Sequence, residues 1–252
     1  MVRSAASGGL DVIAITDHDT TAAYHAAWAV GREVRVQVVP GIEVSSTHAG
    51  RDVHILGYFV DPDAAALVAH GEHATTRREE RMREMIVRLS DEAITVSYSE
   101  VEEAAGPDRV TIGRPHLARA LVSAGYATSV PDAFNRLIGD RSASFVPTGL
   151  LEPQAAVELV LAGGGIPIWA HPPGDMVDGL LPELISAGLR GLEVYRPSHR
   201  RNAVLRYVAI CKSAGLMQSG GSDWHTPDAG KALGDFFVDG QEIEELLSAG
   251  GI

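Results

Sequence analysis

Four short apolar runs in this chain end the same way. VIAI (12–15) is followed by Thr16-Asp17-His18-Asp19, and VQVV (36–39) by Pro40-Gly41-Ile42-Glu43. IPIWA (166–170) runs into His171, and LMQSGG (216–221) into Ser222-Asp223-Trp224-His225. Near-continuous apolar runs of this length read as strands covered on both faces, which is the signature of a mostly parallel sheet flanked by helices. In such sheets and barrels, ligands and chemistry gather at the carboxyl ends of the strands. A His, Asp or Glu at four such ends therefore constrains fold and function together.

The full set of strand expectations is 12–15, 34–39, 53–60, 166–170, 189–195 and 216–219, with helices over about 20–30 and 200–213. The first strand reads as fully buried. The stretch from 64 to 164 is different: TRREERMREMIVRL, GRPHLARALVSAGY and EPQAAVELVLAGGG carry helical spacing, early proline and late glycine. The expected organisation is an α/β body from residues 1–63 and 165–252 that carries a helical insertion or cap, 64–164. The charge run RREERMR reads as a solvated helix face.

Composition narrows the function. Apolar residues make up 45% of 252 residues and charged ones 21%, as in an ordinary globular protein. No apolar run approaches the roughly 18 residues of a membrane helix, so no membrane partner is expected. One cysteine, Cys211, leaves neither an internal disulfide nor a thiolate metal cluster and fits a cytoplasmic location. A net charge of −12 argues against a duplex-DNA surface, whereas donors held ready for cations leave a protein acidic.

The strand-end residues suit a metal centre. Carboxylates give hard oxygen ligands and neutral imidazole gives nitrogen, a mixture that fits manganese, iron or zinc better than calcium. An extended Asp223-Trp224-His225 aims both outer side chains to one side, and Glu43 is a natural bridge between two cations. His54 lies early in its strand and reaches the same rim only if that strand runs against the others. Singly these residues have plainer readings: TDHD as a helix N-cap with Asp19 or Thr20, His171 as a strand terminus, and His25, His48, His70 and His73 as surface or satisfied core. Recurrence at four ends is what favours the metal.

The motifs GLDVIAITDHDT, VVPGIEVS, VHILGYF, TIGRPHLARALVSAGY, IPIWAHP, LEVYRPSH and GSDWH, in this order, resemble the PHP (polymerase and histidinol phosphatase) family of metal-dependent phosphoesterases. They are similar in particular to its bacterial nucleotide phosphatase and exoribonuclease members. The resemblance implies a distorted (β/α)7 barrel and a site for two to three divalent ions. The implied metal ligands are His18, Glu43, His54, His171, Asp223 and His225. Arg114, His116 and Arg196 are implied contacts for substrate phosphate, and His199 and Asp19 are the catalytic candidates. The implied substrate is a nucleotide or a short RNA end.

The family pattern opens with a His-x-His strand and a following aspartate that have no counterpart here. The expectation is a PHP barrel missing its first strand, fewer metals bound, and impaired turnover by the chain as it stands. Either further coding sequence lies upstream or the protein is shortened. A non-catalytic remnant that keeps the fold and part of the metal site is the alternative. An amidohydrolase-like enzyme ranks lower, because no lysine sits at a strand end.

Overall fold

The computed structural model describes residues 1–107, 111–225 and 232–252. The chain divides into two compact units, Met1–Ser45 with Val53–Ala69 and Pro153–Ile252, and Ser46–Asp52 with His70–Glu152.

In chain order the elements begin α1 (Val2–Ser7), β1 (Val12–Ile15), α2 (Tyr24–Val34), β2 (Gln37–His48), β3 (Arg51–Tyr58). Four helices follow: α3 (Ala65–Asp91), α4 (Tyr98–Ala105), α5 (Arg114–Ser123) and α6 (Val130–Ala133). The rest is α7 (Pro153–Ala162), β4 (Ile166–Trp169), α8 (Val177–Ala187), β5 (Gly191–Tyr195), α9 (Arg201–Ala214), β6 (Met217–Gly220) and α10 (Glu244–Ala249). The strands form one sheet in the order β1 to β6.

The α/β reading holds. β1 runs parallel to β2, and β4, β5 and β6 are mutually parallel. β3 is antiparallel to β4, so its amino end reaches the carboxyl rim of β4, as His54 requires. The reversal is made by Ala49 and Gly50, both at positive φ (49° and 77°), the backbone that a two-residue hairpin of natural twist needs. Left-handed glycines also stop α8 at Gly188 and α9 at Gly215.

Two strand expectations fail. The 34–39 strand is displaced: α2 continues to Val34, and β2 starts at Gln37 and runs through Pro40 and Gly41 to His48. Glu43 is therefore interior to a strand. Gly41 permits this, because a Cβ there would stand 2.7 Å from Thr16 Cγ2 and 3.0 Å from the Gly57 carbonyl. β1 is also not fully buried. It ends the strand order, Val12 is 38% exposed, and of its four residues only Ile15 is buried.

The first unit is held by Val39, Leu56, Ile168 and Leu246 in one cluster and Val2, Ile15, Ala27 and Val38 in another. Cutting a fully buried Ile168 back to alanine costs about 2–5 kcal/mol. In the second unit, α3 presents Met82, Met85 and Leu89 to Leu117 and Leu121 of α5 and to Ile138. The RREERMR run is not a purely solvated face: Arg78 and Arg81 are buried. Arg81 donates to Asp52 Oδ2 (2.9 Å) and to the Val146 carbonyl (2.6 Å). Asp52 also accepts from the Thr148 N–H at 3.0 Å, so its carboxylate is satisfied on both oxygens.

Candidate metal centre

Glu43 is the centre of the site. Its strand is pinned to the segment after β1 by two backbone bonds, Glu43 N–H to the Asp17 carbonyl (3.0 Å) and Asp19 N–H to the Glu43 carbonyl (2.9 Å). These bonds set His18 beside Glu43 as an isolated parallel bridge. Bonding of the Ala170 N–H to the His54 carbonyl (3.0 Å) sets His54 level with the end of β4, one residue before His171. Side chains from three separate segments thus converge on one carboxylate.

His54 Nδ1 lies 2.7 Å and His171 Nε2 3.1 Å from the same oxygen, Glu43 Oε1. The two ring nitrogens are 3.1 Å from each other. His18 Nδ1 is 3.8 Å from Glu43 Oε2. The donor atoms of His18, Glu43 and His54 all fall within 4.8 Å of one another.

Protons satisfy this arrangement poorly, since an N–H on either ring satisfies at most part of a three-atom contact and turns a donor on its neighbour. A cation accepts all the lone pairs at once, and oxygen plus imidazole is a donor set for a divalent metal. The residues present fit such an ion.

The electrostatics agree. Burial pushes the Glu43 carboxyl up, but His18, His54 and His171 more than offset it and hold the group well below the usual carboxylate range. Burial likewise disfavours charge on His171, yet its bond to Glu43 and the Glu193 charge raise its pKa. The Glu43 carboxylate and the His171 imidazole thus each favour the other's charged form.

Asp223 and His225 sit at the rim in a more open position. The His225 and His18 rings are 6.0 Å apart, centre to centre. Nδ1 of His225 donates to the Asp223 carbonyl (2.9 Å), which leaves Nε2 with its lone pair outward. The segment is not extended as the sequence reading had it: Asp223 has φ 51°, and its Oδ2 accepts from Arg196 Nη2 at 3.0 Å. Asp19 and His171 also have positive φ (58° and 32°). Three non-glycine residues in this region, following β1, β4 and β6, cluster here, each costing about 1–3 kcal/mol that surrounding bonds must offset.

His199 donates from Nδ1 to the Val194 carbonyl (2.8 Å), fixing the tautomer with Nε2 available. Burial, then the nearby charges of Arg196 and His171, lower its pKa. Asp19 is buried, and its Oδ1 accepts from the Ser45 N–H at 2.7 Å. In the second unit, Arg114 begins α5 and pairs with Asp140 Oδ1 (2.5 Å), while His116 Nδ1 accepts from the Gly113 N–H.

One member escaped the sequence reading. Glu193, inside β5, is 4% exposed and accepts from the His171 N–H at 2.7 Å. Burial pushes its carboxyl up to about 7, against the pull of Arg196 and His171. The signal was available, since a carboxylate in the middle of the apolar run LEVY needs a buried partner.

A groove of about 920 Å³ opens at this rim, lined by His18, Glu43, His171, Glu193, Asp223 and His225 and by the apolar edge of β1. Among the described residues no helix is long and apolar enough to cross a membrane.

No family model matches the chain. Among characterised proteins it is 34% identical over 233 residues to the phosphoribosyl 1,2-cyclic phosphate 1,2-diphosphodiesterase of Eggerthella lenta, covering 89% of this chain and 87% of that one. It is 29% identical to the 5'-3' exoribonuclease of Haemophilus influenzae, covering 90% of this chain and 84% of that one. It is also 29% identical to the 3',5'-nucleoside bisphosphate phosphatase of Chromobacterium violaceum, covering 91% and 82% respectively.

Of solved structures, one described as a metal-dependent phosphoesterase from Bifidobacterium adolescentis superposes with a TM-score of 0.85 at 28% identity, over 98% of this chain and 88% of that one. A second, described as an amidohydrolase from Chromobacterium violaceum with bound sulfate, gives 0.84 at 27% identity, over 92% and 84%. The relatives are phosphoric ester hydrolases, their likeness spans nearly the whole chain, and the strand ends carry a cation-ready donor cluster. The chain belongs to the PHP family of metal-dependent phosphoesterases.

Proposed function

We propose that the chain hydrolyses phosphate monoesters or diesters of nucleotides or short RNA ends at the Glu43 cluster. The observation that carries the reading is the convergence of His54 Nδ1 and His171 Nε2 on Glu43 Oε1. His18, Glu43, His54 and His171 are assigned to hold the metal, with Asp223 and His225 completing the set from the open side. The donor chemistry favours manganese, iron or zinc.

A bound divalent cation supplies Lewis acidity, activating water towards phosphorus and neutralising phosphoryl charge. The protein's own groups do the rest. Among the described residues Arg196 Nε is buried without a hydrogen-bond partner, an N–H suited to a phosphoryl oxygen. His199, held by the Val194 carbonyl, keeps Nε2 for proton exchange with the leaving alcohol.

Asp19 is assigned to holding the rim together through Ser45 rather than to the chemistry. Arg114 and His116, at the start of α5 within the helical segment 64–164, are assigned to a substrate phosphate; Pro115 at the first turn and the positive helix end support it. A reducing, cytoplasmic setting fits the single buried thiol.

The test is metal content by elemental analysis together with phosphate release from AMP, 3',5'-adenosine bisphosphate, a cyclic ribose phosphate and a 5'-phosphorylated oligoribonucleotide. Release from at least one substrate, abolished by chelator and restored by manganese, is the expected result. Manganese-loaded protein that releases nothing from the whole panel overturns the proposal.

A further inference from the structure

His171 and Asp223 share an awkward requirement. Each must present a side chain to the rim from a backbone that L-residues avoid, at φ 32° and 51°. Residues at the end of β5 hold both, the first by its backbone N–H and the second by its carboxylate.

Glu193 Oε2 accepts the His171 N–H at 2.7 Å. The same oxygen lies 3.9 Å from Arg196 Nη1, and Arg196 Nη2 donates to Asp223 Oδ2 at 3.0 Å. Strict alternation would put residues 193 and 196 on opposite faces of the sheet. Arg196 lies just past the end of β5, whose register against β6 shifts between Glu193 and Tyr195, and there its guanidinium stands beside Glu193. Glu193 Oε1 rests 3.8 Å from where a Cβ of Gly221 would stand, so the carboxylate is walled by the chain leading into Asp223 as well.

We propose that Glu193 and Arg196 act as one clamp that sets the backbone of His171 and the carboxylate of Asp223, making Glu193 a positioning residue of the metal site. The proposal rests on the reading of His171 as a metal ligand. Glu193 is assigned to positioning rather than to ligation, with Oε2 accepting the His171 N–H and Oε1 facing the Gly221 segment. An orienting partner of this kind typically governs metal affinity by about 10–100-fold. Arg196 thereby serves two ends, facing substrate charge and fixing the residue beside it.

Three substitutions at one position test this. Glu193→Gln keeps an oxygen for the His171 N–H. Glu193→Asp keeps the charge but falls one methylene short. Glu193→Ala loses both. Manganese affinity by competition titration, with circular dichroism as the check on folding, is expected to rank wild type, Gln, then Asp and Ala. Gln should fall within about threefold of wild type, and Ala about 10–100-fold below it. In turnover, kcat should follow the metal occupancy and be recovered at saturating manganese in the Asp variant.

Manganese affinity in Glu193→Ala equal to wild type overturns the proposal. So does an Asp variant that binds well while Gln does not, for that order marks a direct ligand. If the Ala variant does not fold, the Gln and Asp pair decides alone. His171→Ala is the control for the underlying reading. If it keeps full manganese content, the metal assignment has failed rather than the clamp.

Discussion

Two buried carboxylates, Glu43 and Asp52, are treated in opposite ways. Asp52 receives an arginine on one oxygen and a backbone N–H and a hydroxyl on the other, a closed account of donors and acceptors. Glu43 receives imidazole nitrogens that crowd each other as closely as they crowd it. The first arrangement is complete with protein atoms alone. The second becomes complete only when a cation enters, so burial of charge by itself marks nothing. What marks function is a donor set that protein protons fail to saturate.

That contrast can be broken at either end. Glu43→Gln should lower metal content and cut phosphate release by about 10³-fold or more while the protein stays folded, because the site loses its central anion. Release at wild-type rate by the Gln protein would remove Glu43 from the chemistry. Asp52→Ala should act on stability. It strands a buried Arg81, and breaking such a pair costs about 3–5 kcal/mol, readable in urea unfolding. A loss below about 1 kcal/mol would show that the Arg81 network is only loosely held.

His199→Ala separates positioning from proton transfer. Its kcat should fall about 10²–10⁴-fold on a nucleotide, and the loss should shrink on a p-nitrophenyl ester, whose leaving group needs no proton. An equal loss on both substrates would take His199 away from the leaving group.

The smallest effect belongs to a third buried group. Burial pushes the Cys211 thiol up to about 11, so at pH 8 only about one molecule in 10³ is thiolate (11 − 8 = 3 decades). Labelling of the folded protein by a thiol reagent should rise about tenfold per pH unit from there towards pH 11. Fast labelling at pH 8 would mean that α9 opens readily.

The rim was legible in the sequence because strands that discharge into His, Asp or Glu carry the information locally. His54 became legible only with the direction of β3, which the sequence offers as a choice and the Ala49–Gly50 turn decides. Glu193 showed itself as a carboxylate in an apolar run but not what it binds, and the buried arginines of α3 gave no such sign; their partners lie far along the chain, His171 for one and Asp52 for another. A helix rich in charge looks solvated until a distant carboxylate is known to meet it. The start of β2 was misplaced for a different reason. Val34 and Val36 suit either a helix end or a strand, and the left-handed Arg35 that separates them has no sequence signal of its own.

Gly41 has one more effect. With Thr16 on one side and the Gly57 carbonyl on the other, no side chain can be accommodated between neighbouring strands there. A single methyl at that point would press β2 away from β3, which carries His54, and from the segment after β1 that carries His18. The spacing of the donors around Glu43 thus depends in part on a residue that contributes no donor of its own.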